Sequence, residues 1–340
     1  MQKWEQIQGV YIHTPFCLQK CLYCDFASYA GADTETMEKY VDAVCSEIMM
    51  RSNEVTIADQ ATLYFGGGTP SLLSEKLLAK LVEALQKNGC WLQPAEATIE
   101  VNPGTADLDK LRFFKDLGFD RISFGVQSLN DAELRAVGRI HTANEALDAI
   151  TMAEKAGFTR VSADLIYGLP EQSLQTLKTS LQNLTAAGLQ HLSVYGLTIE
   201  KNTPLAGMLD KGKVELPDED CQLAMYELVQ EYLEAQGLHR YEISNYAVSG
   251  QESRHNLVYW HYLPYLSFGS SACSFNGSQR FTATDSVTDY IESIQSGKSC
   301  GGFEDLTKEM QLSEYLFMGL RTTVGIDLIE TEQRFGCDVM

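Results

Sequence analysis

Six short apolar runs, separated by amphipathic stretches, fill the first two thirds of the chain and limit its fold more than any other feature. The runs are GVYIHT (9–14), ATLYFGG (61–67), ATIEVN (97–102), RISFGV (121–126), RVSADLIYG (160–168) and HLSVYGL (191–197). They are rich in β-branched and aromatic residues, as buried parallel strands are. Helical patterns lie between them. In LLSEKLLAKLVEAL (72–85) apolar residues recur at 73, 77, 78, 81, 82 and 85, one face of a helix. MEKYVDAVCSEIMM, LDKLRFFKDLG, NEALDAITMAEKAG and LKTSLQNLTAAG read likewise, and several end at a glycine suited to a helix C-terminus. Such β-then-α units in series require a parallel sheet with right-handed crossovers. A barrel-like array and an open doubly wound sheet both fit, and both bind ligands at the C-terminal ends of their strands. The expected class is α/β over residues 1–236.

From about residue 236 the rhythm breaks. RYEISNYAVSG, RHNLVYWHY and LSFGSSACSF read as strands and ordered loops, and TKEMQLSEYLFMGL (307–320) as a helix. Residues 237–340 are expected to form a smaller C-terminal α+β domain. Its closing QRFGCDVM follows soon after a new helical pattern begins, so the domain reads as truncated.

The expected strand ends collect the unusual residues. Three cysteines follow the first run, GGGTP the second, and Gln127 the fourth, while Glu100-Val101-Asn102-Pro103 closes the third. No apolar run is long enough to cross a bilayer, and MQKWEQIQ lacks the charged-then-apolar order of a signal peptide. The expected location is the cytoplasm, where nine cysteines stay mostly reduced and a tight cluster suggests metal rather than disulfide. Cys17, Cys21 and Cys24 have the spacing C-x3-C-x2-C. Structural zinc generally takes four ligands, and no second C-x2-C pair exists here; Cys45, Cys90, Cys221, Cys273, Cys300 and Cys337 stand alone. Three thiolates on one loop suit three irons of a [4Fe–4S] cube and leave the fourth iron open to a small molecule. The net charge of −20 makes nucleic acid a poor partner, because binding would begin against repulsion.

C-x3-C-x2-C after a first strand, with an aromatic before the last cysteine, resembles the radical S-adenosylmethionine (SAM) superfamily. YIHTPFCLQKCLYCDF, YFGGGTPSLL, IEVNP, RISFGVQS, GRIHT and DLIYGLP are similar, in order over residues 8–275, to a narrower branch. That branch holds oxygen-independent coproporphyrinogen III oxidase and the heme chaperone HemW. In the superfamily, the amino and carboxylate groups of SAM chelate the open iron. An electron from the cluster then cleaves the sulfonium to methionine and a 5′-deoxyadenosyl radical. The resemblance implies a partial (β/α)6 TIM-like barrel and, at its strand ends, a cluster on Cys17, Cys21 and Cys24, flanked by Tyr11 and Tyr23. It places SAM against Gly67, Gly68, Thr69, Glu100, Gln127, Arg139 and Asp164. These residue types suit the task. Glycines let backbone approach the SAM amino group, buried carboxylates need partners such as ribose hydroxyls, and Arg139 is a fixed cation for a carboxylate. Each also has a plainer reading: a tight turn, a salt bridge, a surface arginine, aromatic packing.

The resemblance then divides. The oxidases carry a further cysteine two positions after the third ligand, where this chain has Phe26. HNLVYW (255–260) instead matches an H-N-x-x-Y-W motif of the chaperones. A histidine beside Tyr and Trp is by itself more often a packed core residue. With the motif, His255 is expected to ligate heme iron, with Tyr259 and Trp260 against the macrocycle and His261, His13 and His141 as weaker candidates. The implied function is a heme chaperone that binds a [4Fe–4S] cluster, SAM and heme and passes heme to an apo-hemoprotein, which could be membrane-bound. The chain itself is not expected to span a membrane, and a homodimer is compatible. The alternative is a radical SAM oxidase that decarboxylates coproporphyrinogen III. A tRNA- or protein-modifying enzyme is disfavoured by the acidity and by the lack of an RNA-binding module.

Overall fold

A computed structural model describes residues 4–91 and 93–336. Six strands, β1 (Trp4–Thr14), β2 (Val55–Gly67), β3 (Ala97–Val101), β4 (Arg121–Gln127), β5 (Arg160–Tyr167) and β6 (His191–Gly196), run parallel in sequence order. This is the partial (β/α)6 barrel, one of the two arrangements that the rhythm allows. The crossover helices begin where side chains can cap them. Asp33 caps Thr34–Ser52, Ser74 caps Glu75–Lys87, and Asp107 caps Leu108–Asp116. Thr142 forms a capping box with Glu145 at the start of Ala143–Lys155. Gly118 and Gly157 take positive φ just past two of the helix ends, as the sequence suggests.

The strands are less uniformly apolar than expected. Leu63, Phe65, Ile99, Val101, Ile122, Phe124, Ala163, Leu165, Leu192 and Val194 point one way, into the buried core that Leu77, Leu81, Leu111, Phe114 and Leu181 share from the helices. The alternate positions carry Thr62, Tyr64, Thr98, Glu100, Arg121, Ser123, Ser162, Asp164, His191 and Ser193. A strand alternates its faces with period two, so this inner surface is polar along its whole depth. The sequence shows the alternation only after the register is known.

The part beyond residue 236 extends the same sheet at both edges. Asn245–Ala247 pairs antiparallel with β6. Tyr265–Phe268 pairs parallel with β1, matching Gly9 to Tyr265 and Ile12 to Phe268. Cys273–Phe275, Gln279–Ala283 and Gly301–Asp305 then add antiparallel strands outward. Buried Glu47 fastens this edge: it accepts from Arg51, from the Gly269 amide and from the Tyr290 hydroxyl.

One reading changes. RHNLVYW is a helix, Arg254–Trp260, capped by Ser253, where its β-branched and aromatic content suggested a strand or ordered loop. A further helix, Glu219–Ala235, begins in the acidic stretch ELPDEDCQ (215–222), whose cap Asp218 and first-turn Glu219 and Asp220 suit a helix N-terminus. Among the described residues no helix is long and apolar enough to cross a membrane. Cys337 lies outside the described residues.

Candidate functional site

The C-terminal ends of β1 to β6 surround a cavity of about 570 Å3. Cys17, Cys21, Tyr23, Cys24, Gly67, Gly68, Thr69, Glu100, Gln127, Arg139 and Asp164 all line it. Eleven residues chosen from six separate stretches of sequence thus meet in one place.

The cysteine loop is held by its backbone. The Leu22 amide donates to the Val137 carbonyl at 3.0 Å, and the Leu205 amide donates to the Leu22 carbonyl at 2.9 Å. Gln19 Nε2 reaches the Gly138 carbonyl, and His13 Nε2 lies 3.2 Å from the Ala27 carbonyl. Tyr23 packs against the small apolar cluster of Val137, Ile166 and Leu169. All three thiols are free, and each has a polar hydrogen donor nearby: Thr69 Oγ1 at 3.6 Å from Cys17, Arg139 Nη1 at 3.5 Å from Cys21, Ser28 Oγ at 4.0 Å from Cys24. Burial raises the Cys17 thiol, and the Thr69 hydroxyl opposes it. Among the described residues no three His, Cys, Asp or Glu side chains converge as on a single ion.

The glycines answer to more than ligand access. Gly67 has φ +111°, and a Cβ there would stand 2.5 Å from the His13 ring; at Gly68 it would meet the Phe16 carbonyl oxygen at 2.7 Å. Gly67→Ala should therefore destabilise the cofactor-free protein by about 2 kcal/mol or more in urea unfolding. Gly104→Ala, at φ +83° in open space, should cost about half as much. Equal losses at the two positions would show that the His13 contact is irrelevant.

Glu100 faces the cavity with its oxygens held by the Tyr64 hydroxyl at 2.7 Å and the Gly67 amide at 3.2 Å. Burial pushes its carboxyl up to about 7, and the Asp164 carboxylate adds to this. Burial also raises Asp164, whose Oδ1 accepts from Ser123 at 3.4 Å. Gln127 sits at a break in register between β4 and β5, with φ +66°, a bulge that re-aims a side chain at a strand end. Arg139 Nη2 donates to Asn102 Oδ1 at 2.7 Å and to the Gly125 carbonyl, while its Nε is buried without a partner.

Two expected residues lie elsewhere. Tyr11 sits deeper on β1, its hydroxyl 3.1 Å from His13 Nδ1 and its ring stacked on Tyr64. His255, expected to ligate heme, is 1% exposed. Its Nδ1 lies 2.8 Å from Thr62 Oγ1 and its Nε2 2.9 Å from the Tyr259 hydroxyl. Both ring nitrogens are engaged by hydroxyls, and the contact to Thr62 pins helix Arg254–Trp260 to β2. Burial lowers it to about 4, so the ring is neutral. Tyr259 and Trp260 belong to the same packed helix: Tyr259 stands edge-on to His255, and the Trp260 ring carries Arg321 at 4.6 Å. Sequence reasoning missed Asn102 and Ser123 as cavity residues; only their alternation with apolar neighbours signals them.

Comparisons with known proteins agree with this geometry. Residues 11–184 match the family model described as the radical SAM superfamily. The chain is 35% identical to the heme chaperone HemW of Bacillus subtilis over 335 residues, 97% of this chain and 87% of that protein. It is 37% identical to HemW of Synechocystis, covering 94% of this chain and 79% of that protein. Its structure superposes on coproporphyrinogen III oxidase (HemN) from Escherichia coli, a radical SAM enzyme, with a TM-score of 0.84 over 98% of this chain and 80% of that one. At 23% identity this last likeness speaks to the fold alone. Fold and site together define a radical SAM protein, with a [4Fe–4S] cluster and SAM as its cofactors. Within that superfamily the chain belongs to the HemW family.

Proposed function

We propose that the chain is a heme chaperone: it carries a [4Fe–4S] cluster and SAM at the strand ends, binds heme, and delivers it to an apo-hemoprotein. The observation that carries the reading is the meeting of three free thiols and the acid-lined cavity in a chain similar to a heme chaperone over 97% of its length. In this reading Cys17, Cys21 and Cys24 are the cluster ligands and Tyr23 shields them. Gly67, Gly68 and Thr69 leave backbone open to the amino group of SAM. Glu100 accepts from its ribose hydroxyls, Gln127 and Asp164 line its path, and the free Nε of Arg139 suits its carboxylate. When bound, the cluster supplies an electron and an iron site open to SAM. Phe26 weighs against the oxidase alternative: it stands where the oxidases carry a cysteine, on the cavity wall and 70% exposed.

Anaerobically reconstituted protein should develop a Soret band on heme titration, and should release that heme to an apo-hemoprotein. Given reductant, SAM and coproporphyrinogen III, it should form no protoporphyrinogen; appreciable turnover would replace the chaperone reading with the oxidase. His255→Ala should lower the urea midpoint by an amount typical of a lost buried polar pin, about 2 kcal/mol. The Soret titration of its folded fraction should be unchanged, and loss of the band there would restore His255 as a ligand.

A further inference from the structure

The sulfurs of the cysteine loop do not have equivalent surroundings. The Thr69 hydroxyl lies 3.6 Å from Cys17 Sγ, and Arg139 Nη1 lies 3.5 Å from Cys21 Sγ. Asn102 joins these two donors. Its Nδ2 is 2.7 Å from Thr69 Oγ1, and its Oδ1 is 2.7 Å from Arg139 Nη2. Ser28 lies outside this arc, 4.0 Å from Cys24 Sγ and also within reach of Cys17.

Directions along the arc are forced one after another. A guanidinium only donates, so the end of Asn102 that faces Arg139 is its carbonyl oxygen. The amide hydrogens of Asn102 therefore face Thr69, which accepts. A hydroxyl has one proton, so a Thr69 oxygen that accepts from Asn102 keeps that proton for Cys17 Sγ. Close packing guards the arrangement: a Cβ at Gly125 would come 2.8 Å from Asn102 Oδ1.

The geometry points to Asn102 as a positioning residue for the cluster, aiming one hydroxyl and one guanidinium at two of the three ligand sulfurs and so setting the reduction potential. Hydrogen bonds to ligand sulfurs withdraw charge and favour the reduced cluster. This rests on the assignment of Cys17, Cys21 and Cys24 as ligands. A wild-type chain that assembles no cluster would defeat that assignment, whereas the tests below address Asn102 alone.

Asn102→Asp separates aiming from packing. A carboxylate accepts at both oxygens, so it holds Arg139 but turns the Thr69 proton toward itself and away from Cys17. Iron and sulfide content should stay at the wild-type level, because Asn102 supplies no ligand. Redox titration followed by electron paramagnetic resonance should show a more negative midpoint. Thr69→Val should lower the midpoint in the wild-type background and add little in the Asn102→Asp background; the new charge is common to both members of the second pair and cancels in the difference. Thr69→Ser, which keeps the hydroxyl, should stay near wild type. Equal Thr69→Val shifts in the two backgrounds overturn the inference. So does an unchanged Asn102→Asp midpoint, and so does an Asn102→Asp chain that fails to take up its full iron.

Discussion

Cys21→Ala, reconstituted anaerobically with iron and sulfide, is expected to hold no stable [4Fe–4S] cluster, and Cys17→Ala and Cys24→Ala are expected to behave alike. The loop that carries these thiols is tied down mainly through Leu22 main-chain atoms to Val137 and Leu205, and the side-chain contacts to its sulfurs are long, 3.6 Å from Thr69 and 3.5 Å from Arg139. Removing one sulfur should therefore leave the fold and the loop path intact, and the urea midpoint of the cofactor-free variant should match wild type. What disappears is a ligand that no other residue replaces. Cys90 is buried in the core, Cys45 lies beside the Lys80 carbonyl, and Cys273 stands on the outer strands beside Thr282. Cys45→Ser, Cys90→Ser and Cys273→Ser should accordingly keep full iron and sulfide, even where burial of a serine hydroxyl lowers stability by about 1 to 2 kcal/mol at Cys90. A full cluster in Cys21→Ala would refute the ligand set. An empty Cys273→Ser would show that the outer strands reach the site.

Legibility from sequence followed the range of the interactions. The strand order of β1 to β6 was readable because each βα unit is local and crossovers have a fixed hand. The cavity residues were readable where a motif marked them, as with Gly67, Glu100 and Arg139. Pairing of Tyr265–Phe268 with β1 spans some 250 residues and leaves no local trace, so the way the C-terminal part joins the sheet could not be read. HNLVYW misled for a different reason. Its β-branched and aromatic residues favour strands in general, but Ser253 caps a short helix and the His255 backbone amide donates to buried Glu96, so tertiary contacts decided the outcome. The two buried partners of His255 left no trace either, because a buried histidine with two partners has the same letters as an open ligand. Asn102 reads from sequence as the residue before a proline; only the distances to Thr69 and Arg139 reveal its part.

Glu100→Gln should strengthen the cofactor-free protein near pH 8 while sharply weakening SAM. The wild-type carboxyl is pushed up from an ordinary 4.5 to about 7, mainly by burial. Asp164 pushes the same way, while the Tyr64 hydroxyl, the Gly67 amide and Arg121, one layer deeper, pull against it. The native state thus keeps a proton that the unfolded chain releases near 4.5. Stability contributed by this group is complete below pH 4.5, falls as pH rises to about 7, and is level above that. A shift of this size in a fully enclosed group would amount to about 3 kcal/mol, and the open cavity reduces it toward about 2. Glutamine removes the titration, so urea unfolding at pH 5.5 and pH 8 should show a shallower decline in the variant and a higher midpoint at pH 8. SAM reverses the preference. Its sulfonium charge and ribose hydroxyls both favour the carboxylate, so SAM binding to wild type should tighten as pH rises through 7 and release a proton. Calorimetry in two buffers of different ionisation enthalpy would count that proton. In Glu100→Gln the proton release should vanish and affinity should fall by about tenfold or more, as for a lost hydrogen bond to a charged group. A variant that binds SAM as wild type does would remove Glu100 from the site. One that unfolds more easily at pH 8 would mean that its hydrogen bonds to Tyr64 and Gly67 outweigh the strain of burying its charge.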